Sequence, residues 1–462
     1  MAAQAWRRAL ARRAYAALLG LATPAYLGKL WLRGRAEPLY RHAIGERFGR
    51  YGALQPDRAA HQSWVWVHAV SLGETRAAAA LIDALRAALP GLRLLLTCGT
   101  ATGREAGAAL LREGDRQVWL PYDTAGATRR FVEAFRPAVG VLMETEIWPN
   151  LLHAARANGV PVVLANARLS EKSARKGERL QALLHPAVES LALVLAQTEA
   201  DAQRLRASGA PRVEVCGNLK FDMAPDAAQL ERGRAWRAAS GARPVVLAAS
   251  TREGEEGPLL DAWRRAMSPH ADVDGAAANT ARPRLLVVPR HPQRFDEVAV
   301  LVAQAGLSLT RRSRWNGDAP DADALAADAW LGDSMGEMAA YYAAADAALL
   351  GGSYAPLGGQ NLIEAAACGT PVVMGPHTYN FAEAADLSIA AGAAQRVADI
   401  GEGVRAAVAL ARPGANAAMA RHALAFAAEH RGAAARMARR IADVAAEVSR
   451  DGSEATMTIT TR

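Results

Sequence analysis

Lysine is almost missing from this sequence: 50 of its 54 basic residues are arginine, leaving only Lys29, Lys172, Lys176 and Lys220. Cysteine is scarcer still. Cys98, Cys216 and Cys368 stand far apart with no CxxC pair and no Cys/His cluster, which argues against a disulfide framework or a zinc site and fits a reducing, cytosolic setting. No apolar run is of the kind a polytopic membrane protein repeats, and no internal repeat of short period is visible. Half the residues are nevertheless apolar and 22% are charged, spread along 462 residues. A disordered or collagenous chain is thereby excluded, and two or three globular domains are expected, enough for an enzyme.

The charge is unevenly placed. Residues 1–50 carry ten Lys/Arg against two Glu, whereas the other 412 residues hold 44 basic and 44 acidic side chains. A neutral body argues against nucleic-acid binding, and a basic N-terminus argues for an electrostatic anchor to an anionic membrane surface. Residues 14–28 (AYAALLGLATPAYLG) are uncharged, preceded by Arg7, Arg8, Arg12 and Arg13 and followed by Lys29, Arg33 and Arg35. A spanning helix needs roughly 20 apolar residues, and Pro24 is expected to kink this one. In-plane or shallow insertion therefore ranks ahead of a span, and a span ahead of a cleavable signal, since no small-residue cleavage pattern precedes Lys29.

From Trp64 onward, short apolar runs alternate with stretches that suit amphipathic helices: 64–70, 92–97, 117–121, 138–144, 160–166, 191–196 and 213–217. After a polar stretch beyond Asp222 the pattern restarts at 244–250, 284–290, 347–353, 371–375 and 392–397. This is an α/β pattern with two Rossmann-like halves, and ligands are expected at the carboxyl ends of strands, across a cleft between the halves. The expected divisions are a basic, apolar anchor over 1–35, a first domain over 36–222, a second over 223–450 and a disordered tail over 451–462. Residues 270–283 and 316–328 read as surface loop insertions.

Several strand ends carry chemistry. HAVSLGET (68–75) puts Glu74 in the first turn of a helix, where Ser71-x-x-Glu74 is a capping box and where a carboxylate is also well placed to take a proton from a hydroxyl. METEIWPN (143–150) offers Glu144 and Glu146, which at i, i+2 on a strand would share one face, with Pro149 opening a helix. GNLKFD (217–222) places Lys220 at the domain boundary, either as a solvated surface lysine or as a cation over developing negative charge. In the second half, PRHPQR (289–294) gathers Arg290, His291 and Arg294, a natural clamp for a phosphate or carboxylate. LGDSMGEM (331–338) reads either as a capping turn with Ser334 as N-cap or as free N–H groups around Met335, Gly336 and Glu337 that meet a base edge or an anion. In GGSYAPLGGQNLIEAAACG (351–369), paired glycines would let backbone approach a phosphate, with Asn361 and Glu364 on one helix face.

Taken in order, RGRAEPLYRHAIGERFG, HAVSLGET, LPYD, METEIWPN, NARLSEKSARKG, GNLKFD, PRHPQRF, GDSMGEM, GGSYAPLGGQNLIEAA and MGPHTYNF make the chain resemble the Kdo transferases of lipopolysaccharide assembly, over roughly residues 27–430. Gln360 stands where that family often has histidine, and so does Arg252 in STREGEE. The resemblance implies a GT-B fold and inverting transfer of 3-deoxy-D-manno-octulosonic acid (Kdo) from CMP-Kdo to a lipid A precursor without a bound metal. It also implies a place at the cytoplasmic face of the inner membrane. Carried over by motif, Glu74 would be the general base, and Glu144 and Lys220 would stabilise the transition state. CMP would sit on Pro289 and Arg290, on Met335, Gly336 and Glu337, and on Asn361, Leu362, Ile363 and Glu364. Arg168, Lys172, Arg175 and Lys176 would help dock the anionic lipid. A UDP-sugar transferase acting on a polyprenyl lipid and a non-catalytic membrane adaptor are the rival readings.

Overall fold

The computed structural model describes residues 2–52, 64–268 and 282–460. They form two compact units, 1–222 with 431–462 and 223–430. Each unit is built on a seven-stranded, wholly parallel sheet with helices between the strands.

In the first unit the strands are β1 (Trp64–Ala69), β2 (Arg93–Cys98), β3 (Arg116–Trp119), β4 (Val139–Met143), β5 (Val162–Ala167), β6 (Leu193–Ala196) and β7 (Val213–Val215). Their order is β3-β2-β1-β4-β5-β6-β7, so the winding direction reverses between β1 and β4. Both faces of this sheet are covered, which is why its strands read as unbroken apolar runs. Alternate residues go to opposite sides. Val65, Val67, Leu94, Leu96, Val139 and Val141 pack with the helix Leu72–Ala88, while Trp64, Trp66, Leu95, Leu142 and Leu164 pack with Phe131, Phe135 and Leu151.

In the second unit the strands are β8 (Val245–Thr251), β9 (Arg284–Pro289), β10 (Leu309–Arg311), β11 (Ala329–Leu331), β12 (Ala347–Leu350), β13 (Val372–Met374) and β14 (Ala394–Arg396), ordered β10-β11-β9-β8-β12-β13-β14. Here the reversal falls between β8 and β12. In an open parallel sheet such a reversal, at the carboxyl edge, is where ligands bind.

Three expectations are corrected, and a fourth falls largely outside the described residues. Residues 431–450 belong to the first unit: the C-terminal helix (Ala433–Thr460) sends Ala433, Met437, Ala438, Ile441 and Val444 into the first core. Asp222 fastens that return by accepting from the N–H groups of Gly432 and Ala434. Helical backbone also continues to Thr460, where a disordered tail was expected from 451. The stretch 316–328 is not all loop, since it holds a short helix (Ala322–Ala326) with Ala324 buried. The expected insertion over 270–283 lies, but for its last two residues, outside the described residues.

The N-terminal helix (Ala2–Arg33) continues through Pro24, and Thr23 donates from its hydroxyl to the Leu19 carbonyl at 2.6 Å. No described helix is long and apolar enough to cross a membrane.

Candidate functional site

At the reversal point of the first sheet, β1 ends at Ala69 and Ser71 caps the helix Leu72–Ala88, its Oγ accepting from the Glu74 N–H. The Glu74 carboxylate turns back: Oε2 accepts from the Val70 N–H at 2.9 Å and Oε1 from the Ser71 hydroxyl at 3.1 Å. An ordinary capping box reaches the N-cap's own N–H, whereas this one reaches one residue further. Burial raises the Glu74 pKa above the usual carboxylate value, the Val70 N–H opposes, and the nearby Glu144 charge adds to the rise.

Across the reversal, β4 ends at Met143, and Glu144 takes a left-handed backbone (φ 57°) while its N–H donates to the Ala165 carbonyl at 2.9 Å. The expectation that Glu144 and Glu146 share a strand face therefore fails, because both lie beyond the strand and the alternation rule no longer holds. Non-glycine residues in this region are strained and cluster at functional sites. Asn166 (φ 52°) in β5 and Ser250 (φ 55°) in β8 share the feature.

Glu146 accepts from the Trp148 indole N–H at 2.8 Å, and its Oε2 stands 4.0 Å from His68 Nε2. Burial first, then the Glu74 charge, push Glu146 up to about 7. His68 is wholly buried, which lowers it to about 4. The Thr97 carbonyl lies 3.0 Å from His68 Nδ1, and since a carbonyl only accepts, the hydrogen is assigned to Nδ1 and a lone pair to Nε2. The Glu146–His68 approach is thus no ion pair at neutral pH.

Lys220 sits in a one-turn 3-10 helix (Leu219–Asp222) after β7. Its N–H donates to Asn218 Oδ1 at 3.0 Å, the Leu219 N–H donates to Asn166 Oδ1 at 3.0 Å, and Asn218 Nδ2 donates to Gln197 Oε1 at 2.9 Å. Burial lowers the Lys220 pKa while Glu144 and Glu74 counter it, so these three predicted residues share one electrostatic cluster with Glu146. Asn166, Asn218 and Gln197, which hold the turn, were not singled out. Asn166 opens the NARLSEKSARKG stretch, whose basic residues are those expected to dock the lipid.

The residues expected to hold the nucleotide lie in the second unit, whereas Arg168, Lys172, Arg175 and Lys176 lie in the first, where the Arg168 charge helps lower the Lys220 pKa. The glycine-rich loop after β12 is fastened by Glu255, which accepts from the N–H groups of Gly352 (2.7 Å) and Tyr354 (3.3 Å). Any Cβ on Gly351 would stand 2.3 Å from the Ser250 carbonyl oxygen, so only glycine fits there. Asn361 is the N-cap of the helix Leu362–Ala367, with Oδ1 accepting from the Ile363 N–H, and Glu364 lies in its first turn. Leu362 and Ile363 are buried side chains, leaving backbone as what they can offer a ligand.

After β9, Pro289 is buried and Arg290 is exposed. Arg294 is withdrawn from the expected clamp, because its guanidinium pairs with Glu256 at 2.6 Å and Glu297 at 2.9 Å. Ser334 is not an N-cap. The next helix (Met338–Ala343) has Glu337 as N-cap, and that carboxylate pairs with Arg232 at 2.8 Å and Arg312 at 3.2 Å. Met335 is 68% exposed and Gly336 has φ 80°. Glu255 and Glu256, both in STREGEE, are the structural carboxylates that the sequence did not single out.

The first unit therefore gathers a half-buried carboxylate of raised pKa, a second carboxylate and a buried ammonium in one electrostatic cluster. The family model of 3-deoxy-D-manno-octulosonic-acid transferase (kdotransferase) matches residues 42–223. A 3-deoxy-D-manno-octulosonic acid transferase from Bordetella pertussis is 50% identical over 91% of this chain and 96% of its own. One from Haemophilus influenzae is 33% identical over 80% of this chain and 83% of its own. Among solved structures, a glycosyltransferase from Rickettsia africae ESF-5 has a TM-score of 0.55 at 11% identity, covering 84% of this chain and 99% of its own, a likeness of fold alone. With two parallel-sheet α/β units of the glycosyltransferase kind and half its residues identical to a relative over nearly its whole length, the chain belongs to the family of 3-deoxy-D-manno-octulosonic acid transferases.

Proposed function

We propose that this Kdo transferase moves Kdo from CMP-Kdo to a lipid A precursor in lipopolysaccharide assembly, with inversion and without a metal. The observation that carries this reading is the Glu74 carboxylate, half-buried, raised in pKa and fixed by two hydrogen bonds at the reversal of the first sheet. Each of its oxygens accepts one bond and keeps a lone pair for a substrate hydroxyl.

In the reaction, Glu74 takes the proton of the acceptor hydroxyl as that oxygen bonds to the anomeric carbon of Kdo. The bond from that carbon to the CMP phosphate oxygen breaks, and its electron pair leaves with CMP. The phosphate is a good leaving group, so one base suffices and charge stabilisation matters more than an acid. Glu144 stands by the cationic sugar centre and Lys220 by the anionic groups. Pro289 and Arg290, the 335–337 turn and the Asn361–Glu364 cap hold the nucleotide.

The N-terminal helix rests on the cytoplasmic face of the inner membrane. Its basic residues and the exposed Trp6, Leu18, Leu21 and Trp31 support in-plane binding. The deciding experiment is mass spectrometry of a tetraacyl lipid A precursor incubated with purified protein and CMP-Kdo generated in situ. A product heavier by one or more Kdo units, absent with Glu74→Gln, is expected. No product from folded, detergent-stabilised protein overturns the reading, and competition by UDP but not CMP would redirect it to a UDP-sugar donor.

A further inference from the structure

Within the first unit a cavity of about 420 Å3 lies between the N-terminal helix and the carboxyl edge of the sheet. Its walls are largely hydrocarbon and aromatic, including Leu19, Ala22, Tyr26, Leu30, Leu120 and Trp148. That volume is in the lower range of small-molecule sites, and such sites are mostly apolar with a few placed polar groups. The placed polar groups here are unusual.

Arg47 lines the cavity and is 3% exposed, yet its Nε and Nη2 have no hydrogen-bond partner among the described residues. Its guanidinium carbon lies 4.0 Å from the centre of the Trp119 ring, which steadies the cation without meeting its N–H groups. The Tyr122 hydroxyl and His68 Nε2, on two more residues that line the cavity, likewise lack hydrogen-bond partners among the described residues. Asp123 also lines the cavity but is already engaged, accepting from the N–H groups of Asn150 and Leu151 and from the Tyr15 hydroxyl. A buried arginine with two of its three nitrogens unmet is costly, and it calls for an acceptor oxygen brought by a ligand.

Two further observations say what kind of ligand. Tyr26 is 44% exposed and lines the cavity, so the cavity reaches the surface along the N-terminal helix, the helix that also exposes Leu18, Leu21, Trp31 and Leu32. Val70, whose N–H holds Glu74, also lines the cavity. One cavity thus runs alongside an apolar surface and borders the residue that positions the proposed base. A sugar or a nucleotide would leave its polar groups against hydrocarbon here, whereas a chain with one oxygen at its head matches both the walls and the arginine.

We propose that this cavity is an acyl-chain site, taking one hydrocarbon chain of the lipid acceptor with the carbonyl oxygen at the head of that chain accepting from Arg47. The naming of the acceptor as the source of the chain rests on the function proposed above. The site itself rests on the cavity.

The test uses the full-length protein and two readouts. The first is binding of cis-parinarate, a fluorescent C18 fatty acid, below its critical micelle concentration. Saturable binding near one per chain is expected, weakened at least tenfold in Ala22→Trp, which fills the cavity from an exposed helix position, and weakened in Arg47→Met. The second is the KM for the acylated acceptor, expected to rise at least tenfold in Ala22→Trp while the KM for CMP-Kdo stays parental. Absence of saturable binding, or equal binding by parent and Ala22→Trp, overturns the site. Weakened parinarate binding with an unchanged acceptor KM overturns the assignment to the acceptor and gives the site to a membrane lipid. Absence of transfer to any acceptor overturns the proposed function and with it the acceptor as source, while the parinarate readout still decides the site.

Discussion

The backbone N–H of Val70 donates to Oε2 of Glu74 at 2.9 Å, so the carboxylate that caps a helix and the carboxylate proposed to take the acceptor proton are one group. Capping fixes its position, and the lone pairs that capping leaves over face no other partner in the hydrogen bonds described. Glu74→Gln keeps an acceptor for Val70 but cannot take a proton. Unfolding stability is expected to change by less than about 1 kcal/mol, while kcat falls by about 10²–10⁴. Parallel loss of stability and activity would mean that the residue is only a cap.

Glu146 and His68 give opposite pH dependences to the first unit. Folding raises Glu146 from 4.5 to about 7, so its stabilisation is full below about pH 4.5 and is lost as the pH rises toward 7. Folding lowers His68 from 6.5 to about 4, so its stabilisation is present above pH 6.5 and is lost as the pH falls toward 4. Measured by hydrogen exchange of the first sheet, Glu146→Gln should gain stability relative to the parent as the pH rises through this window. His68→Asn should lose it. Differences that do not change with pH would contradict both shifts.

Asn166 reaches Lys220 through the Leu219 N–H and the turn that follows. Asn166→Ala strands a buried N–H, at a cost of about 1–3 kcal/mol, and loosens the turn. The expected outcome is a lower kcat with the acceptor KM unchanged. Lys220→Arg is expected to fall as well, since a planar guanidinium does not replace a compact ammonium. Parental kcat in Asn166→Ala would show that the turn holds Lys220 without it.

Arg290 and Arg294, four residues apart in one motif, should separate cleanly. Arg294 is buried against Glu256, so Arg294→Ala leaves an unpaired buried carboxylate and should destabilise the second unit by about 3–5 kcal/mol. Arg290 is exposed, and Arg290→Ala should leave stability within about 0.5 kcal/mol while raising the KM for CMP-Kdo. Calorimetry and donor titration of the two variants check this, and an unchanged donor KM in Arg290→Ala removes that residue from the site.

The C-terminal helix is part of the first core. Ile441→Ala should cost the first unit about 2–5 kcal/mol and leave exchange in the second unit unaltered. An effect seen in the second unit instead would place the helix there.

Much of this protein was legible in its residues, because a parallel sheet covered on both faces needs unbroken apolar runs, and those runs marked twelve of the fourteen strands. LGDSMGEM marked the end of β11, but β10, a three-residue edge strand only partly buried, carries no such run. Ser71-x-x-Glu74 and the paired glycines announced a cap and tight turns, which depend on neighbours in sequence, and the ordered motifs carried the resemblance to a transferase family. The sequence alone could not say which sheet the last helix joins, because an apolar stripe specifies a partner's greasiness and not its identity. It could not tell Arg294 from Arg290, nor see that Glu144 leaves the strand before Glu146, nor that Arg47, Tyr122 and His68 meet around one cavity. Those outcomes depend on contacts between residues tens to hundreds of positions apart, and burial, pairing and pKa are properties of such contacts, which only the folded chain brings into being.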